Sequence, residues 1–313
     1  MRRVPAVDAQ RTALASLQAT ATSLNKKYAS SAPARRPDRE WRSNIGRKLD
    51  LSSALLSLSV LVDSGLDHYR GSFQNRWMYL PLGVSAAALA ASLLGILDAR
   101  GKSRVARDGL YGLAALTGAA GLGFHGYNIM KRPGGLSWLN LFYAAPVGAP
   151  AALLLAGILG RGAERVRDDE ASTILGYPAG EVLGIVASAG LAGTVAEAGL
   201  LHFRGAFQNP GMFLPVAVPP AAAGLLTTTL FRPGNMLRRA AKLGLRLTAL
   251  LGFAGVGFHA YGVSRNMGGW RNWSQNILNG PPLPAPPSFT GLALAGLAAL
   301  ALVERNGKAS SHD

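Results

Sequence analysis

The sequence predicts an all-α integral membrane protein whose eight transmembrane helices form two tandem four-helix repeats in parallel orientation. Three observations predict it. The 313 residues are 49% hydrophobic and 15% charged, where a soluble domain carries about a quarter charged residues. The apolar residues gather in eight blocks, each near the length that crosses a hydrocarbon layer of about 30 Å. Two motifs recur in register at a single offset of 134 residues.

The eight blocks fall at about 49–66, 78–97, 109–130, 138–160, 180–201, 212–231, 243–263 and 288–303. They divide the chain into a basic cytoplasmic arm (1–48), a first repeat (49–160), a cytoplasmic linker (161–179), a second repeat (180–303) and a cytoplasmic tail (304–313). The arm holds eleven Lys and Arg and no apolar stretch resembling a secretory signal. Its Ala-, Ser- and Arg-rich composition suits an organellar transit peptide and equally an arm lying on anionic lipid, and the second reading is favoured.

Charge sets the predicted orientation. With the amino terminus inside, 24 of the 32 Lys and Arg fall on the cytoplasmic side and 7 on the other. Without the arm the imbalance is still 13 against 7. Both termini are therefore expected in the cytoplasm, with the protein a multi-pass component of the cell inner (cytoplasmic) membrane. The net charge of +16 does not point to nucleic acid, because the basic residues lie between apolar spans with no interleaved stacking aromatics. Cysteine is absent, which excludes disulfides, thiolate metal sites, iron–sulfur clusters and cysteine nucleophiles.

The repeat is read from Asp63-Ser-Gly-Leu-Asp-His68-Tyr-Arg70-Gly-Ser-Phe-Gln-Asn75, which returns as Glu197-Ala-Gly-Leu-Leu-His202-Phe-Arg204-Gly-Ala-Phe-Gln-Asn209. Gly121-Leu-Gly-Phe-His125-Gly-Tyr127 likewise returns as Gly255-Val-Gly-Phe-His259-Ala-Tyr261. Two motifs in register indicate a tandem duplication. Four spans is an even number, so the copies share one orientation and their pseudo-twofold axis runs along the membrane normal.

In that topology His68, His125, His202 and His259 all lie at the non-cytoplasmic ends of outgoing helices. Gly121 and Gly255 stand one turn before a histidine on the same helix face, and Gly65 and Gly199 do so for the other pair. Such glycine shelves suit a flat macrocycle held by two axial imidazoles, with Arg70 and Arg204 placed to pair with propionates. The expectation is a membrane electron-transfer subunit binding b-type haem through His68 with His125 and His202 with His259. It would link a non-cytoplasmic redox partner to quinone, whose carbonyls Gln and Asn of the outer loops could hold. The bland alternative is small-residue helix packing with interfacial His, Arg and Tyr as anchors of a non-catalytic protein.

Asp63 and Glu197 lie deeper in the apolar layer, where carboxylates are costly and mark functional candidates. One alternative is a transporter or channel-like protein with a path between the repeats using these two acids. Another is a non-haem metal site of Asp63, His68 and His125, repeated by Glu197, His202 and His259. Residues five apart point in different directions on an ideal helix, so this site needs the helix to unwind near Gly65 or Gly199. No phosphate loop, nucleophile motif or soluble catalytic domain is present.

Reporter fusions test the orientation. Gly71, Gly134, Gly205 and Gly280 are expected to report the non-cytoplasmic side and Gly101, Gly162 and Gly234 the cytoplasm; reversal at any two sites breaks the eight-span reading.

Overall fold

A computed structural model describes residues 39–98, 103–143, 146–168, 173–232 and 234–309; most of the predicted basic arm lies outside them. Clustering divides the chain into Asp38–Val303, the body considered below, and a unit of Met1–Pro37 with Glu304–Asp313, of which the end of the last helix is described. The helices are α1 (Arg39–Arg70), α2 (Leu80–Leu97), α3 (Arg104–Met130), the short α4 (Trp138–Tyr143), α5 (Gly148–Arg167), α6 (Ala179–Arg204), α7 (Leu214–Phe231), α8 (Asn235–Arg265), the short α9 (Trp273–Asn279) and α10 (Pro287–Ala309). A tight two-strand hairpin, β1 (Thr173–Ile174) with β2 (Tyr177–Pro178), joins α5 to α6. Its Leu175 and Gly176 have φ of 54° and 81°, the left-handed pair that a two-residue hairpin turn demands.

Among the described residues six helices, α1, α2, α6, α7, α8 and α10, are long and apolar enough to cross a membrane. The chain is thus an all-α, multi-pass membrane protein. Glycines and His125 dilute the apolar character of α3, and α5 carries Arg161, Glu164 and Arg165 in its last turns. The predicted block 138–160 is not one helix. It breaks between Tyr143 and Gly148, because Pro146 and Pro150 suit a helix start, where a missing amide hydrogen costs nothing.

In the first half α5 packs on α1 and α3, α1 on α2, and α2 on α3. In the second half α6 packs on α7 and α7 on α8. α10 closes that group: Leu292 covers Gly190 of α6 and Thr290 covers Gly252 of α8. The halves meet where α5 touches α6 and where Gly291 of α10 rests on the Ser52 carbonyl of α1. The fourth helices correspond at an offset of 136, since Pro150 and Leu154 cover Gly121 and Gly118 as Pro286 and Thr290 cover Gly255 and Gly252. Large side chains such as Leu94, Leu116, Phe124, Leu250 and Phe253 point outward, as the lipid-facing surface of a bundle must.

A continuous apolar core runs through α1, α5, α6, α7, α8 and α10, and a smaller cluster of Val60, Val84, Ala88, Ala114 and Leu153 lies within the first half. That interior also holds a buried polar network. At the end remote from the histidines, Arg107 donates from Nε and Nη2 to the two carboxylate oxygens of Glu164 at 2.8 and 2.9 Å. It also donates to Asp98 at 2.7 Å. Arg167 joins Glu164 at 3.1 Å and pairs with Asp50. Asp50 also accepts from the Tyr111 hydroxyl at 2.8 Å.

Arg107 and Glu164 are each 1% exposed, and their counterparts in the second half are Ala241 and Leu300, both fully buried. Removing one partner of a buried pair leaves an uncompensated charge and costs about 3–5 kcal/mol, whereas apolar replacement of both is often neutral. Arg107→Ala is therefore expected to lower the melting temperature in detergent sharply. Arg107→Ala with Glu164→Leu should recover most of the loss; a double variant as unstable as the single one would refute this account.

Candidate functional site

Each of the four histidines stands in the last turns of a long helix and reaches a backbone carbonyl shortly before the next long helix begins. The Nδ1–H of His68 donates to Met78 O at 2.6 Å, that of His125 to Pro146 O at 2.5 Å, that of His202 to Met212 O at 2.9 Å and that of His259 to Pro282 O at 2.6 Å. A carbonyl can only accept, so each ring holds its proton on Nδ1 and leaves the Nε2 lone pair free when neutral. His68 and His125 are near enough to feel each other's charge, as are His202 and His259.

The glycines thought to form shelves have different surroundings. Pro150 lies over Gly121 and Pro286 over Gly255, so in both places a helix fills the space that a flat group would need. Gly65 has nothing near it and Gly199 has only Val216 within van der Waals reach. The arginines are engaged across the halves. Arg70 donates to Asp67 at 2.5 Å and to the Leu278 carbonyl of α9, and the Arg204 guanidinium sits 5.3 Å from the Tyr143 ring centroid of α4.

The loops at the histidine end are explained by local geometry. Ser72 and Phe73 have φ of 56° and 45°, and Ala206 and Phe207 have 55° and 47°. Holding two non-glycine residues there costs of order 1–3 kcal/mol each. The turns are held by stacking of Phe73 on Tyr79 at 4.3 Å and of Phe207 on Phe213 at 4.6 Å. Asn75 accepts from Trp77 N at 3.0 Å and Asn209 from Gly211 N at 2.8 Å. The two asparagines therefore cap the following turns.

The carboxylate–histidine metal site is not assembled: among the described residues no three His, Asp or Glu form a group that could hold a metal ion. α1 and α6 run unbroken through Gly65 and Gly199, so Asp63 and His68, like Glu197 and His202, leave their helices in different directions. The Glu197 carboxylate instead lies against Gly148, at the amino terminus of α5 in the other half. There a carboxylate meets free amides and the positive end of the helix dipole.

Asp63 has no such partner. At the offset of 136 the counterpart of Gly148 is Pro284, which has no amide hydrogen to give. No hydrogen bond to Asp63 is formed among the described residues, and the charges nearest it are those of Asp67, Glu197 and Arg70. The difference between the two acids was open to sequence reading once the offset of the fourth helices was known, but that offset comes from helix contacts. The buried polar network of the first half was missed; its signal is the charge at Asp50, Arg107, Glu164 and Arg167, which the second half lacks.

Comparison with protein families, curated proteins and solved structures found no match.

The glycine contacts make a direct test. Gly118→Val drives a side chain into the Leu154 backbone and is expected to destabilise by about 3 kcal/mol or more. Gly65→Ala enters open space and should change stability by less than about 0.5 kcal/mol. Thermal melting of the two variants in detergent reads the difference, and equal losses would show that the glycine face is not a packing surface.

Proposed function

We propose that this chain is a membrane transporter or channel-like protein in which Asp63 binds the passing proton or cation. Its eight long helices act as eight spans, built by tandem duplication, with both termini on the cytoplasmic side of an inner membrane. The observation that carries this reading is the inequality of Asp63 and Glu197. One acid lies against the start of α5, whereas the other lies on an apolar helix with no hydrogen-bond partner and two further carboxylates close by. A carboxylate kept at that depth without a structural duty is a functional group by default. The electrostatic interaction of Asp63 on α1 with Glu197 of the second half supports a path between the halves, as in parallel-repeat transporters.

A second reading is favoured by a separate observation. In all four histidines Nδ1–H is held by a carbonyl and Nε2 is free, which is how ligating histidines are oriented. On this reading His68 with His125, and His202 with His259, bind b-type haem and pass electrons between an external partner and quinone. The prolines over Gly121 and Gly255 weigh against it, since they occupy the room beside the rings.

Two measurements discriminate. The full chain in liposomes should carry protons, sodium or potassium faster than protein-free vesicles, and Asp63→Asn should slow that flux by about tenfold or more, the effect of one lost ion-binding group on a barrier. Flux no greater than in empty vesicles for all three ions removes the transport reading. A Soret band and stoichiometric iron in purified protein would put the haem reading first, and a colourless, iron-free protein would end it.

A further inference from the structure

At the histidine end a cleft of about 530 Å³ opens between the two halves. Tyr69 and Arg70 of α1 and Tyr79 of the following turn form one wall, and Gln275, Leu278 and Asn279 of α9 form the other. Size and lining are those of a small-molecule site, in which aromatic faces are joined by a few placed polar groups. Arg70 is 42% exposed yet fixed in place, since Asp67 and the Leu278 carbonyl both hold its guanidinium. Those two bonds use two of its five N–H groups.

The corresponding place in the other copy is filled. The short helices α4 and α9 match at an offset of 136, because Asn140 donates to the carbonyls of Pro133 and Gly135 as Asn276 does to those of Met267 and Gly269. Phe142 and Tyr143 therefore stand where the cleft has Leu278 and Asn279. The Phe142 ring lies 5.8 Å from that of Phe203, and the Tyr143 ring lies 5.3 Å from the Arg204 guanidinium. Phe203 and Arg204 are the counterparts of Tyr69 and Arg70. The other exchanges run the same way, since Leu139, Ala206 and Phe213 of the filled place answer to Gln275, Ser72 and Tyr79 of the open one. Two rings are thus missing from the cleft and hydrogen-bonding groups surround the space they leave, in a fold whose other copy shows that the rings fit.

We propose that this cleft binds a planar heteroaromatic ring with an amide-like edge, of the kind that nucleobases and flavins carry. The filled copy supplies the pose. The ligand ring takes the place of Phe142 and Tyr143, lying against Tyr69 and over the Arg70 guanidinium as those rings do with Phe203 and Arg204. A carboxamide presents a donor and an acceptor side by side, so Gln275 or Asn279 pairs with an amide-like edge through two hydrogen bonds. Asn279 Nδ2 gives one hydrogen to the Gln275 backbone carbonyl at 3.1 Å, which leaves its second hydrogen and its Oδ1 for the ligand. Asp67 balances the charge of Arg70 and so favours an uncharged ring over a free carboxylate or phosphate. Asp63 and the four histidines do not line the cleft, and the site stands apart from both readings above.

The probes are riboflavin, adenosine and uridine, titrated into the full chain in detergent with protein-free micelles as the blank. Riboflavin is followed by its fluorescence, which stacking quenches, and the nucleosides by calorimetry. At least one probe is expected to bind the parent chain one to one with a Kd below about 1 mM. Gln275→Leu should weaken that probe about tenfold, the effect of a lost hydrogen bond. Leu278→Phe with Asn279→Tyr, which restores the two rings, should abolish binding while melting no lower than the parent. Leu139→Gln should leave the affinity unchanged, because Phe142 and Tyr143 still fill that place. No binding by any of the three probes overturns the proposal, and so does binding that persists undiminished in the variant with both rings restored.

Discussion

A backbone carbonyl at the rim of an apolar bundle has little water to bond, and four such carbonyls in this protein are taken by histidines. Each His Nδ1–H closes one helical hairpin by tying the end of the outgoing helix to the start of the returning one. The rest of the outer face follows from that closure. With the hairpins fixed, the proline-bearing starts of α5 and α10 are held against the glycine faces of α3 and α8, where Pro150 and Pro286 replace the side chains that Gly121 and Gly255 lack. Close approach of this kind, through small residues, is the main source of cohesion between helices in lipid.

The two halves then reach across to each other by like means with unlike results. Arg70 holds α9 and Arg204 holds α4, so each outer arginine serves the other half. Glu197 lies against the start of α5 in the same crosswise sense. No hydrogen bond to Asp63 is formed among the described residues, so the two corresponding acids stand in unlike surroundings.

Asymmetry is also the theme at the opposite end. Charge and hydroxyl groups fill the first half where the second has leucine and alanine, while the helices pack alike. In a hydrocarbon surround this is an expensive arrangement, and the aliphatic half shows that a cheaper one is compatible with the same fold. The polar half is accordingly the one in which function is sought.

The sequence by itself determined the membrane class and the recurrence of two motifs at one offset, because hydropathy and repetition are properties of the chain in one dimension. It also marked His68, His125, His202, His259, Asp63 and Glu197 as the groups worth following. What those groups do was decided only in three dimensions. Whether a glycine face is a shelf or a seat depends on what lies opposite, and here it is Pro150 or Pro286. What a membrane carboxylate meets depends on what comes to it from another helix, and Glu197 meets Gly148 at the start of α5. The break between α4 and α5, the two-residue shift of the fourth helices and the joining of Asp50 to Tyr111 across 61 residues are likewise products of packing, which brings together positions that no local spacing relates.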